Sequence, residues 1–94
     1  MKKYKIWTGG NTEKVMKTLD ALFNRGYVFL NHERLRSLKE VTSRWCSFMG
    51  WDWVIIGSDA ECRAVVTVSS SGYDYDNNVE YQRITLEDFL KLIK

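Results

Sequence analysis

The chain predicts an α+β domain: a small, mainly antiparallel sheet with two helices packed on one of its faces. Three observations carry that expectation. Residues 3–8 alternate at strand period and run into an apolar stripe at helical spacing. Residues 51–57 and 62–68 read as two strands joined by the polar turn Ser58-Asp59-Ala60-Glu61. At the other end, Ile84-Thr85-Leu86-Glu87-Asp88-Phe89-Leu90 passes from strand to helix with no linker between them.

Taken in order, Tyr4, Ile6 and Thr8 share one side of the first strand, and Lys3, Lys5 and Trp7 share the other. Gly9-Gly10 turns the chain. Asn11 or Thr12 then caps a helix whose first turn carries Glu13, where the dipole favours a negative charge. Val15, Met16, Leu19, Leu22 and Phe23 form its apolar stripe, and Lys14, Lys17, Asp20 and Asn24 fall outside it. Gly26 suits the left-handed residue that ends such a helix. A short apolar strand follows at residues 27–30.

Residues 31–50 are an excursion, with a short helix and irregular chain equally compatible with Leu35, Leu38 and Val41. Residues 51–57 are apolar on both faces apart from Asp52, so this strand belongs at the centre of the sheet. A polar loop at 69–78 leads to a last strand at 79–84. Thr85 caps the final helix, with Asp88 three residues on and Leu86, Phe89, Leu90 and Ile93 on its inner face. The order is strand-helix-strand, excursion, hairpin, strand-helix. The two stripes cover one sheet face and leave the other open to solvent, a ligand or a second subunit.

Ninety-four residues make one domain, residues 1–94. A hydrophobic share of 45% argues against disorder, and the absence of proline argues against an extended linker. A net charge of +2 gives no whole-molecule case for duplex DNA. No run is apolar enough to span a bilayer, and the basic start Met1-Lys2-Lys3-Tyr4-Lys5 lacks the apolar core of a signal peptide. The expected location is the cytosol, with Cys46 and Cys62 as free thiols. Two cysteines and one histidine fall short of a zinc set, and no cofactor is expected.

The phrases Ala21-Leu22-Phe23-Asn24-Arg25-Gly26-Tyr27, Ser69-Ser70-Ser71-Gly72-Tyr73 and Ile84 to Leu90 carry a resemblance. The chain resembles a loose group of short accessory proteins encoded by tailed bacteriophages. The resemblance covers both ends and about half of the chain, whereas residues 34–53 depart from the pattern. It implies an accessory protein that acts by binding, either occupying a host protein or soaking up a signalling nucleotide made by a host defence system. It carries over no catalytic residues.

Against that background, residues 34–53 hold the main site candidates. Arg34, Arg36, Lys39 and Arg44 stand near Trp45, and guanidinium groups match phosphates and stack on rings. A solvated mixed-charge segment, with Glu33 and Glu40 interspersed, is the plainer reading. Trp51 and Trp53 share a face on an ordinary strand, and at least one of them belongs to the core. Trp51 is the weaker site candidate, and Tyr73 and Tyr75 border a possible binding surface.

Asp74, Asp76 and Asn78 have the first spacings of a calcium loop. Val79 stands where that loop needs glycine and Thr85 where it needs glutamate, so a plain polar loop is expected. His32 has no evident catalytic partner. Gly9-Gly10-Asn11-Thr12 offers backbone N–H groups to an anion but lacks the phosphate-loop ending, and a turn followed by a cap is favoured.

The expectation is therefore a non-enzymatic phage protein of the host cytosol that inhibits anti-phage defence by sequestering a nucleotide-type signal. The alternatives are a protein inhibitor of a host defence or metabolic enzyme, and a single-stranded nucleic-acid-binding module. A homodimer through the open face is expected, with no membrane partner.

Overall fold

In a computed structural model, described for residues 3–31, 33–45, 47–48, 50–57, 65–70 and 81–93, the chain is an α+β fold built on one six-stranded sheet. The elements are β1 (Lys3–Trp7), α1 (Thr12–Phe23), β2 (Val28–Asn31), β3 (Glu33–Leu35), α2 (Leu38–Arg44), β4 (Trp51–Gly57), β5 (Val65–Ser70), β6 (Tyr81–Arg83) and α3 (Leu86–Leu92). The strand order is β3-β2-β5-β4-β1-β6. Three neighbouring pairs are antiparallel, and β1–β6 and β2–β5 are parallel.

The helices form where capping and apolar spacing agree. Asn11 caps α1 by accepting from the Lys14 N–H at 3.0 Å. The helix ends as Gly26 takes φ +86°, and the Gly26 and Tyr27 N–H groups bond back to Phe23 and Leu22 carbonyls. Thr85 caps α3 through the Asp88 N–H at 3.1 Å. Val15, Leu19 and Leu22 of α1 and Phe89 of α3 are buried against Ile6, Val54 and Ile56 of the sheet. Both expected stripes thus pack on one sheet face.

Residues 31–50, left open by the sequence, include the end of β2, a third short strand and a helix. β3 pairs with β2 as a hairpin, Phe29 opposite Leu35. α2 starts at Ser37, whose hydroxyl accepts from the Glu40 N–H, while the Glu40 carboxylate accepts from the Arg36 N–H at 2.7 Å. Val41 joins the same core as the other two helices.

Two expectations about the second sheet face are corrected. Trp51 and Trp53 do not share a face, because the β4–β5 ladder slips between them: Trp51 pairs with Ser70 and Trp53 with Ser69. A bulge of this kind inserts one residue and breaks the period of two. Trp51 joins the helix-side core, and Trp53 lies on the other side. Nor is that other side bare at its centre: Lys5, Trp53 and Ile55 are each no more than 4% exposed within the single chain. Among the described residues, no helix is long and apolar enough to cross a membrane.

Candidate functional site

Five of the seven site residues expected from the sequence fall among the described residues. Trp45 and Trp51 are half-buried and pack with Phe29 and Phe48, the Trp45 and Trp51 rings 5.3 Å apart and edge-on. This is an aromatic buttress of the core. Arg34, Arg36 and Arg44 are exposed. Strand alternation sets Arg34 on the face opposite buried Leu35, and the Arg44 guanidinium donates to the Ser43 hydroxyl at 2.8 Å. Tyr73, Tyr75, Asp74, Asp76, Asn78, His32, Cys46 and Cys62 lie outside the described residues.

The geometry instead gathers cations and an indole where β1 and β6 end. These strands are adjacent and parallel, Lys5 opposite Arg83, and each leads into a helix, β1 by way of the turn at residues 8–11. The Ile84 N–H donates to the Lys5 carbonyl and carries the pairing one residue further. Between the two strand-to-helix junctions lies a cleft of about 260 Å³. Lys14 and Lys17 line it from α1, Trp7 from β1, Arg83 from β6, and Thr85 and Glu87 from the start of α3. In open sheets, crevices outside the carboxyl ends of parallel strands are favoured ligand positions.

Each of these side chains is held for a local reason. Lys14 and Lys17 are one turn apart on α1 and project on one side, with buried Thr18 beneath them. Trp7 is 42% exposed, yet its ring is braced. Its indole meets the Trp53 ring edge-on at 4.8 Å. Gly9, at φ +59°, leaves room beside it: a Cβ there would stand 3.2 Å from the indole nitrogen.

The turn itself is clamped to β4. The Thr8 and Gly9 N–H groups donate to the Asp52 carbonyl, and the Gly10 N–H and Thr8 hydroxyl donate to the Trp51 carbonyl. The Gly-Gly turn therefore spends its N–H groups on β4, and the reading as a turn and cap stands over the anion cradle.

Arg83 belongs to both layers of this arrangement. It lines the cleft, and its guanidinium lies 5.4 Å from the centre of the Trp53 ring. The Lys5 ammonium lies 5.2 Å from the same ring. Cation–π contacts of this kind contribute about 0.5–2 kcal/mol, most when desolvated. They also fix where a long, flexible cation rests. On the far side of Arg83, a wider recess of about 560 Å³ is lined by Gln82, Asp88, Lys91 and Leu92.

Trp7, Lys14, Lys17 and Arg83 were not singled out from the sequence. The signal available was modest: two lysines three apart in the first turns after a Gly-Gly turn, and an arginine two residues before a helix cap. Among the described residues, no three His, Cys, Asp or Glu side chains come together as a metal set.

A scan against protein-family models found no match, and comparisons with curated proteins and with solved structures found none either.

Proposed function

We propose that this chain is a phage accessory protein that acts by stoichiometric binding in the host cytosol, sequestering a nucleotide-type signal of an anti-phage defence system. The phage setting rests on the resemblance of the two ends. The observation that carries the ligand class is the cleft lined by Lys14, Lys17 and Arg83 where β1 and β6 end, with the Arg83 guanidinium and the half-exposed Trp7 indole gathered around the Trp53 ring on the sheet face opposite α1. Cations supply charge-assisted bonds to phosphate, and an indole supplies a stacking face that any base can use. Among the described residues, the lining also holds the Thr18 and Thr85 hydroxyls and the Glu87 carboxylate.

One observation favours a protein inhibitor as the second reading. Trp7 and Leu92 are the two large apolar side chains that stand exposed among the described residues, and they lie in the two recesses that flank Arg83. Exposed aromatic and arginine side chains are typical anchors of protein interfaces.

The test is to purify the protein from cells with an active defence system, heat it, and identify released small molecules by mass spectrometry. A pull-down from the same lysate runs alongside. A nucleotide released from the native chain and absent from Arg83→Gln supports sequestration. No released nucleotide, with a host protein retained in equal amount, would replace it by the inhibitor reading.

A further inference from the structure

We infer that the sheet face opposite the helices carries a second binding surface, a strip along β1 and β6 that takes single-stranded nucleic acid. The strip follows from alternation in two short strands. Lys3, Lys5 and Trp7 share one face of β1, while Tyr4 and Ile6 turn to the helix-side core. β6 lies parallel beside it, with Tyr81 opposite Lys3 and Arg83 opposite Lys5. Among the described residues, these two strands give this face three cations, two aromatic rings and no carboxylate.

Ring contacts tie the side chains together. The Lys3 ammonium lies 5.6 Å from the centre of the Tyr81 ring. Lys5 and Arg83 both hold their cations over the Trp53 ring, and the Trp7 indole meets that ring edge-on. Lys5, Trp53 and Ile55 are buried, so the centre of the face is closed to a ligand. The margin is open: Trp7 and Arg83 are exposed, and Lys3 and Tyr81 are half-buried. Trp53 positions Trp7 and Arg83 and leaves the ligand contact to them.

Along the margin the order is ring, cation, ring: Tyr81, Arg83, Trp7. Tyr81 lies beside Lys3, which is four residues from Trp7, about 13 Å at strand rise. A single strand offers the matching order of base, phosphate, base. Stacking on an aromatic ring tolerates any sequence because every base has a π face, and a guanidinium grips the phosphate between. Sheet modules that read single-stranded RNA stack two or three splayed bases in this way. A duplex keeps its bases paired and stacked, and a net charge of +2 is too small to hold it by phosphates alone. Neither Lys3 nor Tyr81 lines the cleft, so this surface and the nucleotide reading can fail separately.

The experiment measures fluorescence anisotropy of labelled oligothymidylate and oligouridylate of about 12 nucleotides, a length within the range that one single-strand-binding fold covers. A labelled duplex of the same length is the comparison. At least one single strand is expected to bind about tenfold tighter than the duplex, and the tighter of the two identifies DNA or RNA as the source. Trp7→Leu and Tyr81→Leu keep apolar bulk and remove a ring. Each is expected to weaken single-strand binding about fivefold or more, the value of one lost stacking contact. Lys3→Gln and Arg83→Gln are each expected to flatten the dependence of log affinity on log salt by about 0.7. Lys39→Gln on α2 is expected to change neither quantity.

Duplex binding as tight as single-strand binding overturns the inference. So does an unchanged single-strand affinity in both leucine variants, or an unchanged salt slope in both glutamine variants. No binding of any oligonucleotide also overturns it, and the nucleotide reading then stands if the purified protein still releases a nucleotide on heating. A dimer mass in light scattering, with no oligonucleotide bound, would assign the strip to a second copy of the chain.

Discussion

Trp51 and Trp53 are two residues apart on one strand and point to opposite faces of the sheet. The register slip between them places Trp51 among Phe29, Trp45 and Phe48 on the helix side. It sends Trp53 to the other side, where Trp7, Lys5 and Arg83 surround its ring. The same slip sits opposite the Thr8–Gly10 turn, whose donors all end on Trp51 and Asp52 carbonyls. One bulge therefore divides the two tryptophans between the helix-side core and the opposite face.

The helix-side core should respond to truncation as a packed interior does. Leu22 is fully buried and Phe89 is 2% exposed. Leu22→Ala is expected to cost about 2–5 kcal/mol and Phe89→Ala about 3–5 kcal/mol in urea unfolding. A loss under ~1 kcal/mol at both positions would contradict two helices packed on this face.

Trp7 and Trp53 should separate binding from stability. Trp53→Ala removes a buried ring and is expected to cost about 3–5 kcal/mol of stability. Trp7→Ala removes a half-exposed ring and one edge contact, with an expected stability loss of about 0.5–1.5 kcal/mol. Trp7→Ala should nevertheless weaken ligand binding by at least ~2 kcal/mol, as loss of a true anchor does. Equal binding by native and Trp7→Ala protein would remove the indole from the site.

Gly9→Ala tests the bracing of that indole. The residue sits at φ +59°, and an added Cβ would press on the Trp7 ring at 3.2–3.3 Å. The strained backbone is expected to cost about 1 kcal/mol or more, and the displaced ring should shift the tryptophan emission. Unchanged melting and emission would mean that the turn does not position Trp7.

Alkaline stability should report on Tyr27. Burial raises its phenol above the ordinary value of 10.0. Below that value the folded and unfolded chains both keep the proton, so the contribution is fully present. As the pH rises past it, the unfolded chain releases its proton first, and stability is lost until the raised folded value is passed. Tyr27→Phe should therefore lose less stability than the native protein between pH 9 and pH 11 in chemical denaturation. Parallel declines would show that Tyr27 does not contribute to the slope.

The arginines of residues 34–44 offer a comparison. Arg36→Ala and Arg44→Ala are expected to leave folding and cleft binding unchanged, since neither lines the cleft. Trp45→Ala is expected to lower stability, because its ring packs on Phe29 and Trp51. Loss of phage protection in folded Arg36→Ala or Arg44→Ala protein would place the functional surface on β3 and α2.

The fold class was written in local pattern. Val15, Leu19 and Leu22 at helical spacing, the Asn11 and Thr85 caps, and the apolar run of β4 each specify an element by themselves, because capping and amphipathic period act over a few residues. Ser37 followed by Glu40 was an equally local signature for the start of α2, although β3 beside it is only three residues long and too short to show a period.

What only the tertiary structure decided was partnership across sequence distance. Trp51 and Trp53 read as one face because alternation assumes an unbroken ladder, and the slip that separates them depends on how β4 pairs with β5. Lys14, Lys17 and Arg83 each look like solvated charges in the chain. They border one cleft only because β6 returns from the far end of the sequence to lie parallel beside β1. Strand order is set by the packing of the whole sheet, so no local stretch of sequence records it.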